Sequence, residues 1–182
     1  GYKFIVISRG CEMKEPESGG LIQVAGIIDS AEARMLVESG VNYLGFPLRL
    51  TVHKEDISVK EAGRIIRSLK PPCFGVLITY LKRAEEILNF CHQLGTRKVQ
   101  IHGDVSPDEL ANLRKLDSKL FIIKSLIVKD NNLSELEAQL SDHCRHVDAF
   151  ITDTYDPETG ACGATGGKTH NWDISRRLVS IS

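Results

Sequence analysis

Residues Cys73–Val128 read CFGVLITYLKRAEEILNFCHQLGTRKVQIHGDVSPDELANLRKLDSKLFIIKSLIV. Three apolar runs, Cys73–Thr79, Lys98–His102 and Leu120–Val128, alternate with two helical stretches. The first helix, Arg83–Leu94, is closed by Gly95, the usual residue past a helix C-terminus. The second starts at Pro107 under Ser106, with Glu109 in the capping-box position, and runs to Leu116. The strands are apolar throughout rather than alternating, as expected when both faces of a sheet are covered. Strand–helix–strand repetition of this kind predicts a parallel α/β sheet.

The same alternation extends in both directions. Upstream, Leu21–Ala25 reads as a strand, Asp29 or Ser30 caps a helix over Ala31–Ser39, and Gly40 ends it. Val41–Phe46 is the next strand, and Ser58 with Glu61 opens a helix to about Leu69 that Pro71 and Pro72 stop. Downstream come a helix over Leu133–Cys144, a strand over Val147–Thr152 and a last helix over Asp173–Val179. Six strand–helix units are thus expected, with Tyr2–Ser8 as an extra N-terminal strand and Arg9–Gly20 as a mobile loop. Residues 1–20 are set apart from a domain over 21–182. Two architectures fit: an eight-stranded β/α barrel and an open doubly wound sheet. No G-x-G-x-x-G follows the first strand, so a dinucleotide fold lacks its main signature.

The chain has 182 residues, 42% hydrophobic and 26% charged, with a net charge of -1. This is an ordinary globular composition and predicts one domain. There is no basic surplus for a nucleic-acid backbone and no apolar run of membrane-spanning length. Five cysteines at irregular spacing, without C-x-x-C, fit free thiols in a reducing compartment, so a cytoplasmic location is expected. His143, Cys144 and His146 lack a fourth ligand at zinc spacing, and no metal is expected. Gly166-Gly167-Lys168-Thr169 is not a phosphate-binding P-loop, because Cys162 stands where that motif needs glycine.

Candidate chemistry gathers at the ends of the strands. Asp153 ends the strand at 147, beside the glycine-rich segment Gly160–Lys168, and a carboxylate beside a flexible loop is how α/β proteins build active sites. His102 ends its strand and Gln100 shares its face by alternation. Lys124 lies mid-strand, where a lone ammonium is costly, so a pairing with Asp153 is expected that would lower that carboxyl. Trp172 is expected to be a packing anchor at the start of the last helix.

Taken in order, Q-V-A-G at 23–26, V-N-Y-L-G-F at 41–46, F-G-V-L-I-T at 74–79, V-Q-I-H-G at 99–103 with S-P-D-E-L at 106–110, V-D-A-F-I-T-D-T at 147–154 and G-A-T-G-G-K-T-H-N-W at 163–172 resemble the phosphoribosylanthranilate isomerases of tryptophan biosynthesis. The resemblance runs from about Leu21 to Val179. It implies a (β/α)8 TIM-type barrel, no organic cofactor, no metal, and a phosphorylated sugar–anthranilate as the small-molecule partner. It implies an Amadori rearrangement of N-(5-phosphoribosyl)anthranilate to the 1-amino-1-deoxyketose. Asp153 then takes the role of the acid that opens the ribose ring, which calls for a raised pKa. Arg49, Gln100, His102, Gly166, Gly167 and Lys168 are the candidate substrate contacts, with Gly160–Gly167 as a closing lid. There are three departures. The family's K-I-C-G, whose Cys is the general base, is Q-V-A-G here, so Gln23 stands for the Lys and Ala25 for the Cys. The S-P-R stretch that holds the anthranilate carboxylate is missing, although Arg49, His53 and Lys54 lie on that loop. No seventh and eighth barrel units are read; Tyr2–Ser8 is the candidate cover for one edge. Sequence sets no oligomeric state.

Overall fold

A computed structural model describes residues 6–8 by their backbone, and residues 22–50, 55–129, 131–155 and 171–181. The strands are β1 (Val6–Ser8), β2 (Gln23–Ala25), β3 (Tyr43–Pro47), β4 (Phe74–Thr79), β5 (Lys98–Ile101), β6 (Phe121–Val128) and β7 (Ala149–Thr154). The helices are α1 (Ser30–Glu38), α2 (Val59–Ser68), α3 (Ala84–Leu94), α4 (Pro107–Leu116), α5 (Leu133–His143) and α6 (Trp172–Ile181). All six expected strand–helix units form, and their bounds differ from the expected ones by a few residues at most.

The sheet order β1-β7-β6-β5-β4-β3-β2 decides between the two architectures. β2 to β7 are parallel and lie side by side in chain order. A doubly wound sheet reverses its strand order at a switch point; a β/α barrel does not. The fold is therefore of the (β/α)8 TIM-barrel type, with six parallel strand–helix units present among the described residues. β1 pairs antiparallel with β7, Val6 opposite Ile151 and Ser8 opposite Ala149. That is the edge-covering role expected of the N-terminal strand, seen here for Val6–Ser8; Tyr2–Ile5 lie outside the described residues. Arg9–Gly20, the expected mobile loop, lies outside the described residues.

Local chemistry explains the helix ends. Asp29 accepts from the N–H groups of Ala31 and Glu32 at 2.8 Å each, and Ser58 and Ser106 accept from Glu61 and Glu109. Each cap satisfies amides that have no partner within the helix. Glu109 does not complete a capping box. Its carboxylate accepts from the Ala84 N–H at 2.6 Å and so caps α3, which has no side-chain cap of its own. Gly95 ends α3 at φ +82, in the left-handed region where glycine has no Cβ penalty.

Period-two alternation divides the strand side chains between two layers. Leu44, Phe46, Leu77, Val99, Ile101 and Ile122 face outwards into the main core with residues of α2, α3 and α4. Leu126, Val128 and Phe150 meet α5 and α6 through Leu136, Leu140 and Leu178. The inner face is a separate cluster of Tyr43, Val76, Ile123, Ala149 and Ile151. Its end nearest the strand N-termini is filled by Lys98. The Lys98 Nζ lies 4.9, 4.3 and 4.6 Å from the ring centroids of Tyr43, Phe74 and Phe121, a cation–π arrangement. The opposite end of the interior is polar, and the candidate chemistry lies there.

Candidate active site

Parity places Gln23 and Ala25 of β2, Gln100 of β5, Ser125 of β6 and Asp153 of β7 on the inner face near the strand C-termini, with His102 one residue past β5. Gln23 Nε2 donates to Gln100 Oε1 at 2.5 Å, and Gln100 Nε2 donates to Ser125 Oγ at 3.0 Å. Ser125 Oγ lies 3.1 Å from His102 Nδ1, and the same Nδ1 is 3.6 Å from Asp153 Oδ2. A polar chain therefore crosses the interior from β2 to β7. Two of its buried atoms, Gln23 Oε1 and His102 Nε2, have no hydrogen-bond partner among the described residues. Buried polar atoms are rarely left unpaired, so these two mark where a ligand would add contacts.

Asp153 is 9% exposed and His102 8%. Burial pushes the Asp153 carboxyl up to about 6, against a smaller lowering by the Thr154 N–H. That N–H donates to Asp153 Oδ1 at 2.9 Å. Burial pulls His102 down to about 4, and the charge of Lys124 adds to the drop. At neutral pH His102 is thus an uncharged imidazole beside a carboxyl that titrates within about a unit of neutrality, where acid–base exchange is most effective. The ring hydrogen is assigned to Nδ1, because there it faces both Ser125 Oγ and the Asp153 carboxylate. The orphaned Nε2 is then a lone pair. The Tyr80 ring stands edge-on to His102 at 4.9 Å. Gly103 lets the chain turn beside Tyr80, since a Cβ there would meet the Tyr80 carbonyl oxygen at 2.9 Å.

The expected Lys124–Asp153 pair does not form. Lys124 is paired in register with Phe150, whereas Asp153 is paired with Ile127, so the two side chains leave opposite faces of the sheet. Lys124 Nζ donates to the Ser125 carbonyl at 2.7 Å, and burial pulls it down to about 8, partly offset by Asp104. Asp153 is consequently raised rather than lowered. Trp172 begins α6, but it is 46% exposed and so is not a buried anchor.

Of the other sequence candidates, Gln100 and His102 are brought together with Asp153. Arg49 is not: it is exposed, and its guanidinium lies 4.3 Å above the ring of Phe90 on α3, in the helix layer. Gly166, Gly167, Lys168 and the lid Gly160–Gly167 lie outside the described residues, as do His53, Lys54 and Cys11. Ala25 ends β2 and brings no proton-transferring group. Cys73 is at the far end of its strand, with its thiol 3.6 Å from the Val41 carbonyl. Ser125 is a site residue that sequence reasoning did not single out, and Gln23 was read only as the replacement of the family's Lys. Their signal was strand parity: Ser125 shares a face with Asp153, and Gln23 shares one with Ala25. Among the described residues no group of three or more His, Cys, Asp or Glu could hold a metal ion, and no helix is long and apolar enough to cross a membrane.

The chain is 33% identical over 159 residues to N-(5'-phosphoribosyl)anthranilate isomerase 2 of Methanosarcina mazei, a match covering 87% of this chain and 69% of that protein. The chain belongs to the phosphoribosylanthranilate isomerase family. The crystal structure of the family member from Thermotoga maritima superposes with a TM-score of 0.68 at 26% identity, covering 86% of this chain and 70% of that one. A further family structure, in complex with reduced 1-(o-carboxyphenylamino)-1-deoxyribulose 5-phosphate, matches at TM-score 0.63 and 22% identity over 76% of this chain and 66% of that one. No family model matches the chain. Membership confirms the barrel and gives the family context in which the Asp153–His102 pair is read.

Proposed function

We propose that this chain catalyses the Amadori rearrangement of N-(5-phosphoribosyl)anthranilate, with Asp153 as the acid that protonates the ribose ring oxygen. The observation that carries the reading is the Asp153 carboxyl: at a strand C-terminus, 9% exposed and pushed up to about 6. Such a group holds a usable fraction of its proton near neutral pH and releases it as a carboxylate that the Thr154 N–H stabilises. Proton transfer opens the ring, and the anthranilate nitrogen lone pair forms the C1′=N bond of a Schiff base. Loss of the C2′ proton then gives an enolamine, which becomes the ketose. The orphaned Gln23 Oε1 is available to a sugar hydroxyl, and the orphaned His102 Nε2 faces the same space. The ligand in the related complex is a reduced form of such a ketose phosphate, which supports a substrate of the same class here.

The second reading is a binding protein that kept the scaffold. Ala25 favours it, because loss of a positioned general base typically costs about 10²–10⁴-fold in rate, or roughly 3–5 kcal/mol of barrier. Following the fall of anthranilate-type fluorescence with freshly made substrate separates the two. Turnover that Asp153→Asn removes supports the isomerase. Binding of the reduced product analogue without turnover in the unmodified chain, and with turnover in Ala25→Cys, supports the binding protein. Neither binding nor turnover in either chain rejects both.

A further inference from the structure

The position expected to hold the base holds Ala25, yet a buried lone pair without a hydrogen-bond partner stands next to the acid. Resting on the isomerase reading above, we infer that His102 Nε2 is the general base of this chain and takes the C2′ proton in place of the absent thiol. Three observations converge on it. His102 is 8% exposed, and its Nε2 is buried without a hydrogen-bond partner among the described residues. Its Nδ1 is fixed between Ser125 Oγ at 3.1 Å and Asp153 Oδ2 at 3.6 Å, so the ring cannot turn without breaking the chain that runs back to Gln23. Both functional groups face one another closely enough to serve adjacent atoms of one sugar, since the ring oxygen and C2′ are both bonded to C1′.

The groups facing His102 also solve the problem of a weak base. Asp153 of β7, Ser125 on the inner face of β6, Lys124 on its outer face and Tyr80 after β4 surround it. Before reaction, a protonated Asp153 leaves the imidazole uncharged and weakly basic. Once Asp153 has given its proton to the ring oxygen, a carboxylate stands 3.6 Å from Nδ1 in a buried site, and it stabilises an imidazolium. The base therefore strengthens at the step that needs it.

The sequence balances. The Asp153 O–H proton goes to the ring oxygen as the C1′–O bond breaks and the nitrogen lone pair forms C1′=N. His102 Nε2 takes the C2′ proton; the C–H pair becomes C1′=C2′, and the C=N π pair returns to nitrogen. C1′ then takes the proton from the imidazolium while the C2′ hydroxyl proton passes to the Asp153 carboxylate. The ketose leaves, and both residues regain their starting forms. No metal or redox partner enters.

The test uses His102→Gln, which keeps a hydrogen-bonding amide but no basic nitrogen, and the double variant Ala25→Cys with His102→Gln, both checked for native circular dichroism. The expected result is a fall in kcat of about 10²–10⁴-fold in His102→Gln with KM little changed, and recovery of at least tenfold in the double variant. The recovered activity should show a pH–rate profile moved upward, towards the ordinary thiol value of about 8.5; if His102 only held the shape of the site, the added thiol would not restore turnover. Activity in His102→Gln within about fivefold of the unmodified chain overturns the inference. Loss without recovery in the double variant also overturns it, and makes His102 a positioning residue. An unmodified chain with no turnover overturns it too. In that case, binding of the reduced product analogue decides separately whether the family reading of the site survives.

Discussion

Asp153 and His102 titrate in opposite senses over one pH range, so their effects on stability nearly cancel until one of them is removed. Burial raises Asp153 from 3.8 to about 6 and lowers His102 from 6.5 to about 4. Between those limits the folded chain keeps a proton on Asp153 that the unfolded chain has released, so this contribution to stability is present at low pH and is lost as pH rises through about 6. Over nearly the same range the unfolded chain holds a proton on His102 that the folded chain excludes, so this contribution grows as pH rises from about 4 to 6.5. Each is worth about 3 kcal/mol, at about 1.4 kcal/mol per pH unit between the folded and unfolded values. His102→Gln leaves the Asp153 contribution unopposed: relative to the unmodified chain, its stability should fall by about 3 kcal/mol between pH 4 and 7. Asp153→Asn should instead gain about 3 kcal/mol over the same interval. Urea unfolding followed by far-ultraviolet circular dichroism at half-unit pH steps measures both. Subtracting the unmodified chain at each pH removes the contributions of His143 and the other carboxyls. Difference curves that are flat, or that slope the same way for both variants, would refute the account of a buried pair whose charges burial suppresses.

Three further outcomes follow from the packing. Arg114→Ala should cost about 2 kcal/mol in the same unfolding assay, because its guanidinium donates to the Leu120 and His146 carbonyls and to Asp148, fastening α4 to the strand starts. Gly75→Ala should cost about 1–3 kcal/mol by overpacking, since its Cβ would meet Ile66 Cγ1 at 2.5 Å. Lys124→Met should leave stability at pH 7 unchanged or raised. It should also abolish the increase expected above pH 8, where folded Lys124, at about 8 rather than 10.5, loses its proton before the unfolded chain does. A loss of more than about 1 kcal/mol at pH 7 would show that the ammonium is better compensated than its hydrogen bond to the Ser125 carbonyl and the charge of Asp104 suggest.

The strand–helix alternation was readable because each strand is an uninterrupted apolar run and helices have a chemical start or stop, such as Ser58, Ser106 or Gly95; the barrel itself was implied only by the family resemblance. Strand order was not readable, since doubly wound and barrel sheets share that local pattern; pairing distinguishes them. Asp153, Gln100 and His102 were legible as strand-end residues on one face. The reading of Lys124 failed because no neighbouring residue fixed its parity: Ser125, one step on, faces the site, and Lys124 faces the helices. The Lys98 cage was missed because its rings come from three strands. Tyr43 opposite Phe74 and Lys98 opposite Phe121 become neighbours only once the register is known. Glu109 was read as a local cap, and it caps the preceding helix instead.

The antiparallel pairing of β1 with β7 bears on how the chain reaches its final form. Val6–Ser8 find their partners at Ala149–Ile151, whereas every parallel pair joins neighbours in the chain order. A ribosome releases β1 more than a hundred residues before the strand it needs. Through that interval the units from β2 onward can assemble successively by short-range closure, while β1 waits and docks last. Long-range closure is entropically slow, so the seam beside the strand that holds Asp153 is expected to be the last part of the sheet to form.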